Sequence, residues 1–300
     1  MKRLFFALMI LTLAMACSPQ PAPSSVPTLT GSPVPSVPPL TVDEVMDAQV
    51  SSTTLTDQPL TYQLKDGKYQ KGSLGGPDYA DISLLEPMAF ADLNGDNASD
   101  AVAFLAENYG GSGTFVSLVV FLNQAGKAVQ AAIQPIDDRA MINSVSVTDS
   151  VIALDATIHG TQDPMCCPSL KTMRHYRLEN GKLVMLDFST QTADRQWRSI
   201  KLTAPQQGAE VSGSVHVTGN ITIAPFENTL AYQIFDATDT ELANGPISVT
   251  ASDMGAPGTF DATIDLSSIP AGANIRIEIQ DQSAADGSLL AMDSVSLVVK

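Results

Sequence analysis

The feature that most limits the fold is the shortness of the apolar runs. After one helical stretch at residues 42–50 they become brief strand-like segments separated by turn residues, the pattern that antiparallel β-sheets bury. The candidates are Leu60–Leu64, Ala101–Ala106, Phe115–Leu122, Ser144–Val147, Val151–Ile158, His175–Leu178 and Leu183–Leu186. Asp66-Gly67, Gln124-Ala125-Gly126 and Glu179-Asn180-Gly181 fall at the turns, where residues that tolerate positive φ are needed. Ahead of them, Thr41 caps a short helix with Asp43 and Glu44 at its positive dipole end. Val42, Val45, Met46 and Val50 give its apolar face. Residues 41–197 therefore read as an α+β or mostly antiparallel β domain.

Residues 198–300 read as a second domain. Val215–Gly219, Leu230–Phe235, Thr259–Ile264, Ile275–Ile279 and Val295–Val299 alternate or run apolar, with turn residues between them. About seven short strands in ~100 residues is the pattern of an immunoglobulin-like β-sandwich, so the chain as a whole is expected to be mainly β. Four blocks are similar to the Gmad2 family of immunoglobulin-like domains: Ala204-Pro205 with Gly208, Val217-Thr218-Gly219, Phe226-Glu227-Asn228-Thr229-Leu230, and Asp281 through Ser288. In that family the module accompanies envelope and spore-germination domains. The resemblance implies adhesion or scaffolding without catalysis. Glu227, Asp281 and Asp286 read as structural turn and loop acids, the alternative being ligand contacts.

The other end of the chain concerns location. Lys2 and Arg3 precede an apolar run from Leu4 to Leu13, and Ala14-Met15-Ala16 leads into Cys17. This is the order of a secretory signal, and the apolar run is short for a bilayer span of ~20 residues. It resembles a bacterial lipoprotein signal, with Ala14 where leucine is commoner. The resemblance implies removal of residues 1–16 and lipidation of Cys17 by acyl chains of the palmitate type, which would anchor the chain to the cell membrane, outside the cytoplasm. Residues 17–40 are rich in Pro, Ser and Thr and uncharged, a composition that favours an extended polyproline spacer. With 16 basic against 32 acidic residues and a net charge of −16, nucleic acid and anionic lipid surfaces are excluded as partners. The remaining partners are the membrane, through the lipid anchor, and an unnamed protein or cell-wall polymer.

Two clusters carry possible chemistry. Asp92, Asn94, Asp96 and Asp100 place oxygen side chains at positions 1, 3, 5 and 9 of one loop, a spacing that wraps hard Ca²⁺. An EF-hand would continue with Gly and Glu where this chain has Asn97 and Ala103. The loop resembles instead the DxNGDxxxD loops of FG-GAP-type β repeats and dockerin-like segments. It reads as a calcium loop or as a hairpin held by Asx turns. Cys166 and Cys167 are adjacent in a chain expected outside the cytoplasm, and oxidation is favoured there. A vicinal disulfide, free thiols or intermolecular bridges, and a redox or metal role are the alternatives. Zinc fits poorly, because no C-x₂-C spacing accompanies His159 and His175.

Gly110-Gly111-Ser112-Gly113 ends in no phosphate-binding GK[ST] and reads as a hairpin loop. The order DLNGD…DAVAFLAENYGGSGTF…DPMCC, over Phe90–Leu186, resembles an uncharacterised extracytoplasmic domain of bacterial lipoproteins. HExxH, GxSxG and Walker patterns are absent, and His159, His175 and His216 are the only imidazoles. The expectation is a non-catalytic, membrane-anchored envelope lipoprotein that binds or scaffolds, the alternative a calcium- or redox-responsive envelope sensor.

Overall fold

Capping chemistry starts the folded region where the sequence places it. In the computed structural model, which describes residues 37–300, helix α1 (Val42–Met46) opens on a capping box. Thr41 accepts the Glu44 N–H, and the Glu44 carboxylate accepts the Thr41 N–H. The leader, Cys17 and most of the 17–40 stretch lie outside the described residues. At the end of that stretch, Leu40 is buried and the Pro38 carbonyl accepts the Asn123 amide at 2.8 Å. The helix stops earlier than the apolar spacing predicts. Val50 belongs to strand β1 (Gln49–Ser52), which pairs with β2 (Leu60–Gln63). The Asp66-Gly67 turn forms with φ of 49° and 74° and closes a single bridge between Lys65 and Lys68. Its flanks then diverge, because β3 (Lys68–Lys71) joins a different sheet. The positive φ at Gly67 favours glycine there, and a Cβ would also displace the end of the Met46 side chain.

The sheet begun by β3 is an antiparallel meander through β4 (Ala80–Ala91), β5 (Asp100–Asn108), β6 (Phe115–Gln124) and β7 (Lys127–Asp138). Strand β5 is buried on both faces, which explains why its sequence runs apolar instead of alternating. Ala101, Ala103 and Leu105 pack with Val45, Val50 and Tyr62 beneath the helix and hairpin. Val102 and Phe104 face a second core with Leu118, Ile152, Leu154 and Tyr176. Each large side chain so buried contributes ~1.5–3 kcal/mol.

That second core is closed by another meander: β8 (Met141–Thr148), β9 (Val151–Ile158), β10 (Leu170–Glu179) and β11 (Lys182–Gln191). Residues 197–300 supply β12 (Trp197–Arg198), β13 (Ile200–Ala204), β14 (Glu210–Val211), β15 (Ser214–Ile221), β16 (Thr229–Asp236), β17 (Glu241–Ala251), β18 (Gly258–Asp265), β19 (Asn274–Gln282) and β20 (Leu289–Val299). One layer is β13-β15-β18 and the other β16-β19-β20, with β17 pairing to both. Val217, Leu230, Ile234, Phe260 and Ile277 fill the space between them. The fold is thus mainly β and antiparallel, with an immunoglobulin-like sandwich at its C-terminal end.

The sequence gives no hint of how the two halves join. Strand β20 pairs with β11 through Asp187↔Asp293, Phe188↔Met292 and Ser189↔Ala291, so one sheet runs from β8 into the sandwich. A buried ion pair clamps the same junction, with Arg198 Nη1 at 2.6 Å from Asp281 Oδ2 and Asp281 only 1% exposed.

Candidate functional site

Along the shared sheet lies a cavity of about 630 Å³, within the range of roughly 300–1,000 Å³ typical of small-molecule sites. Its walls come from β7, β9, β10 and β11 on one side and from β19, the start of β20 with the loop before it, and the β16–β17 turn on the other. Ile158, Leu183, Phe188, Leu289 and Leu290 make much of it apolar. Strand alternation places Thr172, Arg174 and Tyr176 on one face of β10. Tyr176 enters the core, so Arg174 also points inward and is only 6% exposed. Its guanidinium lies over the Phe188 ring, 5.2 Å from the centroid. Among the described residues it makes a single hydrogen bond, Nε donating to Thr172 Oγ1 at 3.4 Å.

The cavity's other arginine is differently placed. Arg276 donates from Nη1 to Asp239 and from Nε to Glu278, each at 3.0 Å, and its guanidinium lies over the Phe235 ring. Glu278 also accepts the Gln280 amide at 2.7 Å. Arg276 is therefore compensated and fixed, while Arg174 has no carboxylate within ion-pair distance among the described residues. Sequence reading missed both arginines. The available signal was a charge at an inward-facing position of a strand.

The rim of the cavity includes His159 and Gly160, at the base of the cysteine loop. Cys166 and Cys167 are exposed and joined as a vicinal disulfide with Cα atoms 3.7 Å apart. Asp163 braces the loop by accepting N–H bonds from Gly160 and Ser169 at 2.8 and 2.6 Å, and these bonds hold its carboxyl below the ordinary value. Arg139 donates to the Met165 carbonyl and to the Ser112 carbonyl. It thereby brings together the DPMCC and GGSG segments, which sequence reading treated separately. His159 bonds to Asp137 through Nδ1 at 2.9 Å and to the Met165 carbonyl through Nε2 at 3.2 Å. The Asp137 carboxylate raises its pKa above the ordinary imidazole value.

His175 and His216 likewise face carboxylates, Asp187 at 2.7 Å and Asp261 at 2.6 Å. Among the described residues no hydrogen bond links an imidazole to a serine hydroxyl or a thiol.

In the Asp92–Asp100 loop the oxygens serve the backbone. Asp92 accepts the N–H groups of Asn94, Gly95 and Asn97 at 2.7–3.2 Å. Asn94 accepts from Asp96, and Asp96 accepts from Ala98. Asp100 is fully buried and turned away, accepting the Leu93 and Asn123 N–H groups at 2.9 and 2.8 Å. Burial raises its pKa despite those bonds. Among the described residues no group of three or more His, Cys, Asp or Glu side chains is placed to hold a metal ion. The loop's geometry is that of successive Asx turns. Turning Asp100 toward an ion would strand two buried N–H groups.

Residues 199–288 match the Gmad2 family, described as an immunoglobulin-like domain of bacterial spore germination. The match spans the sandwich from just ahead of β13 to the loop before β20, in the region where the sequence blocks indicated it. No curated protein matches the chain. An immunoglobulin-like module of this family points to binding, and the family is not known for enzymatic activity. Among the described residues no helix is long and apolar enough to cross a membrane.

Proposed function

We propose that this chain is a non-catalytic cell-envelope lipoprotein, anchored to the bacterial membrane through Cys17, that acts as a binding or scaffolding module outside the cytoplasm. The observation that carries the reading is the Gmad2 match at residues 199–288, set behind a charged, apolar and small-residue leader that ends in cysteine. An uncharged Pro-rich spacer between them suits a module held away from a surface. The partner is expected to be an envelope protein or a cell-wall polymer.

The test is metabolic labelling of the full chain in a bacterial host with an alkyne-bearing palmitate. The wild-type protein should carry the label and sediment with membranes. Cys17→Ser should lose the label and be released or remain uncleaved. An unlabelled wild-type protein with its mature N-terminus elsewhere would overturn the anchor. A redox-responsive sensor is a second reading, favoured by the exposed Cys166–Cys167 pair beside the cavity rim.

A further inference from the structure

We propose that the cavity along the shared sheet is a binding site for a small organic carboxylate, with Arg174 as the residue that receives the carboxylate group. The inference goes beyond the envelope role and rests on the cavity alone, so it stands or falls independently of the anchor. A guanidinium carries five N–H donors in a fixed fork suited to a carboxylate. Arg174 uses only one of them, in a long bond to Thr172. Among the described residues Nη1 and Nη2 donate no hydrogen bond, and the side chain lines the cavity, where a ligand could accept from them. Burying a cation without an anion is unfavourable. Stacking on Phe188 offsets part of that cost, and an anion in the cavity would offset more.

Charge selects among the anions. Arg276 is neutralised by Asp239 and Glu278 in the same walls, and His159 faces Asp137. Lys182 balances the second carboxylate by pairing with Asp239 at 3.1 Å, which leaves Arg174 as the lining's positive charge without a carboxylate within ion-pair distance among the described residues. A singly charged carboxylate matches it, whereas a dianionic phosphate would be repelled by Asp239 and Glu278. The apolar walls around Phe188, Leu289 and Leu290 suit a hydrocarbon or ring body. A wall of this kind buries most of a small ligand while one polar contact orients it.

The probes are phenylpropionate, phenylbutyrate, phenylpropionamide and inorganic phosphate, each titrated into the purified full chain and followed by ligand-observed NMR. The two acids are expected to bind, and the amide and phosphate to bind at least about tenfold more weakly. Arg174→Met should abolish acid binding. Arg174→Lys keeps the charge without the fork and should weaken it by about tenfold; it also serves if the methionine variant fails to fold. Equal binding of acid and amide, or an acid affinity unchanged in Arg174→Lys or in a folded Arg174→Met, would overturn the assignment. So would phosphate binding in preference to the acids. No binding of either acid up to ~10 mM, far weaker than the ~1 mM of a marginal complex, would overturn it as well.

Discussion

Replacing Arg198 by methionine should destabilise the protein far more than loss of an ordinary surface ion pair. Asp281 is 1% exposed and its carboxylate lies 2.6 Å from Arg198 Nη1. Two unit charges at ~4 Å and an effective dielectric constant of ~20 attract by about 4 kcal/mol. Removing one partner of a buried pair costs about 3–5 kcal/mol, since the other charge stays buried and uncompensated. Each kcal/mol moves Tm by roughly 2–4 °C at this chain length, so a fall of about 10 °C is expected. Trp197, the single tryptophan, adjoins Arg198, so its fluorescence in a denaturant titration reads the junction directly.

The loss should also depend on pH. Burial raises the Asp281 pKa more than Arg198 lowers it. The native state therefore holds this proton at pH values where the unfolded chain has released it. The group's contribution to stability falls as pH rises from the ordinary carboxylate value through the raised one. Without Arg198 the elevation grows, so Arg198→Met should cost less at pH ~4, where Asp281 protonates readily, than at pH ~7. Pairing Arg198→Met with Asp281→Leu should recover most of the loss, as apolar replacements of buried ion pairs do. A cost below ~1 kcal/mol at pH ~7, the value of an exposed pair, would refute the clamp.

Four further outcomes are expected. Cys166 and Cys167 should resist alkylation in protein purified from the envelope until a reductant is added; ready labelling of both, read by mass spectrometry, would contradict the pairing. His159 has its pKa raised by Asp137, so its stabilising contribution is full below the unfolded value of ~6.5 and lost as pH climbs through the folded one. Hydrogen exchange in residues 160–169, corrected for intrinsic rate, should therefore quicken across that range, and His159→Gln should flatten the change. Asp100→Ala leaves the Leu93 and Asn123 N–H groups unpaired and should cost about 2–5 kcal/mol, with Asp100→Asn milder because one acceptor remains. Calcium at ~10 mM, above the weakest usual extracellular-site Kd, should leave Tm unmoved; a rise abolished by Asp96→Ala would establish an ion site.

What the sequence disclosed was governed by how local the cause is. Val151–Ile158 forms a strand with the boundaries its alternation indicates, and Asn180-Gly181 turns the chain with φ of 50° and 77°. Both depend on residues adjacent in sequence. Strand β4 was hidden because Pro87 lies within it and its register breaks between Leu85 and Ala89, and a proline ordinarily argues against a strand. Strand β7 carries Pro135, Asp137 and Asp138 and was hidden for the same kind of reason. The β11–β20 pairing joins residues about a hundred positions apart, and no local pattern encodes it.

The candidate site follows the same division. Composition treats all acids alike, yet strand phase separates them: Asp100 shares the face of Val102 and Phe104 on β5, so it points into the protein while Asn94 and Asp96 stay outside. The same parity acts on Arg174, which Tyr176 commits to an inward position two residues later. A charge so placed in a packed core would need a carboxylate partner. Glu278 is present in the same walls but is committed to Arg276 and Gln280. An open cavity beside the ring of Phe188 is therefore the arrangement in which the fold tolerates Arg174, and N–H donors without a partner among the described residues are a direct consequence of that tolerance.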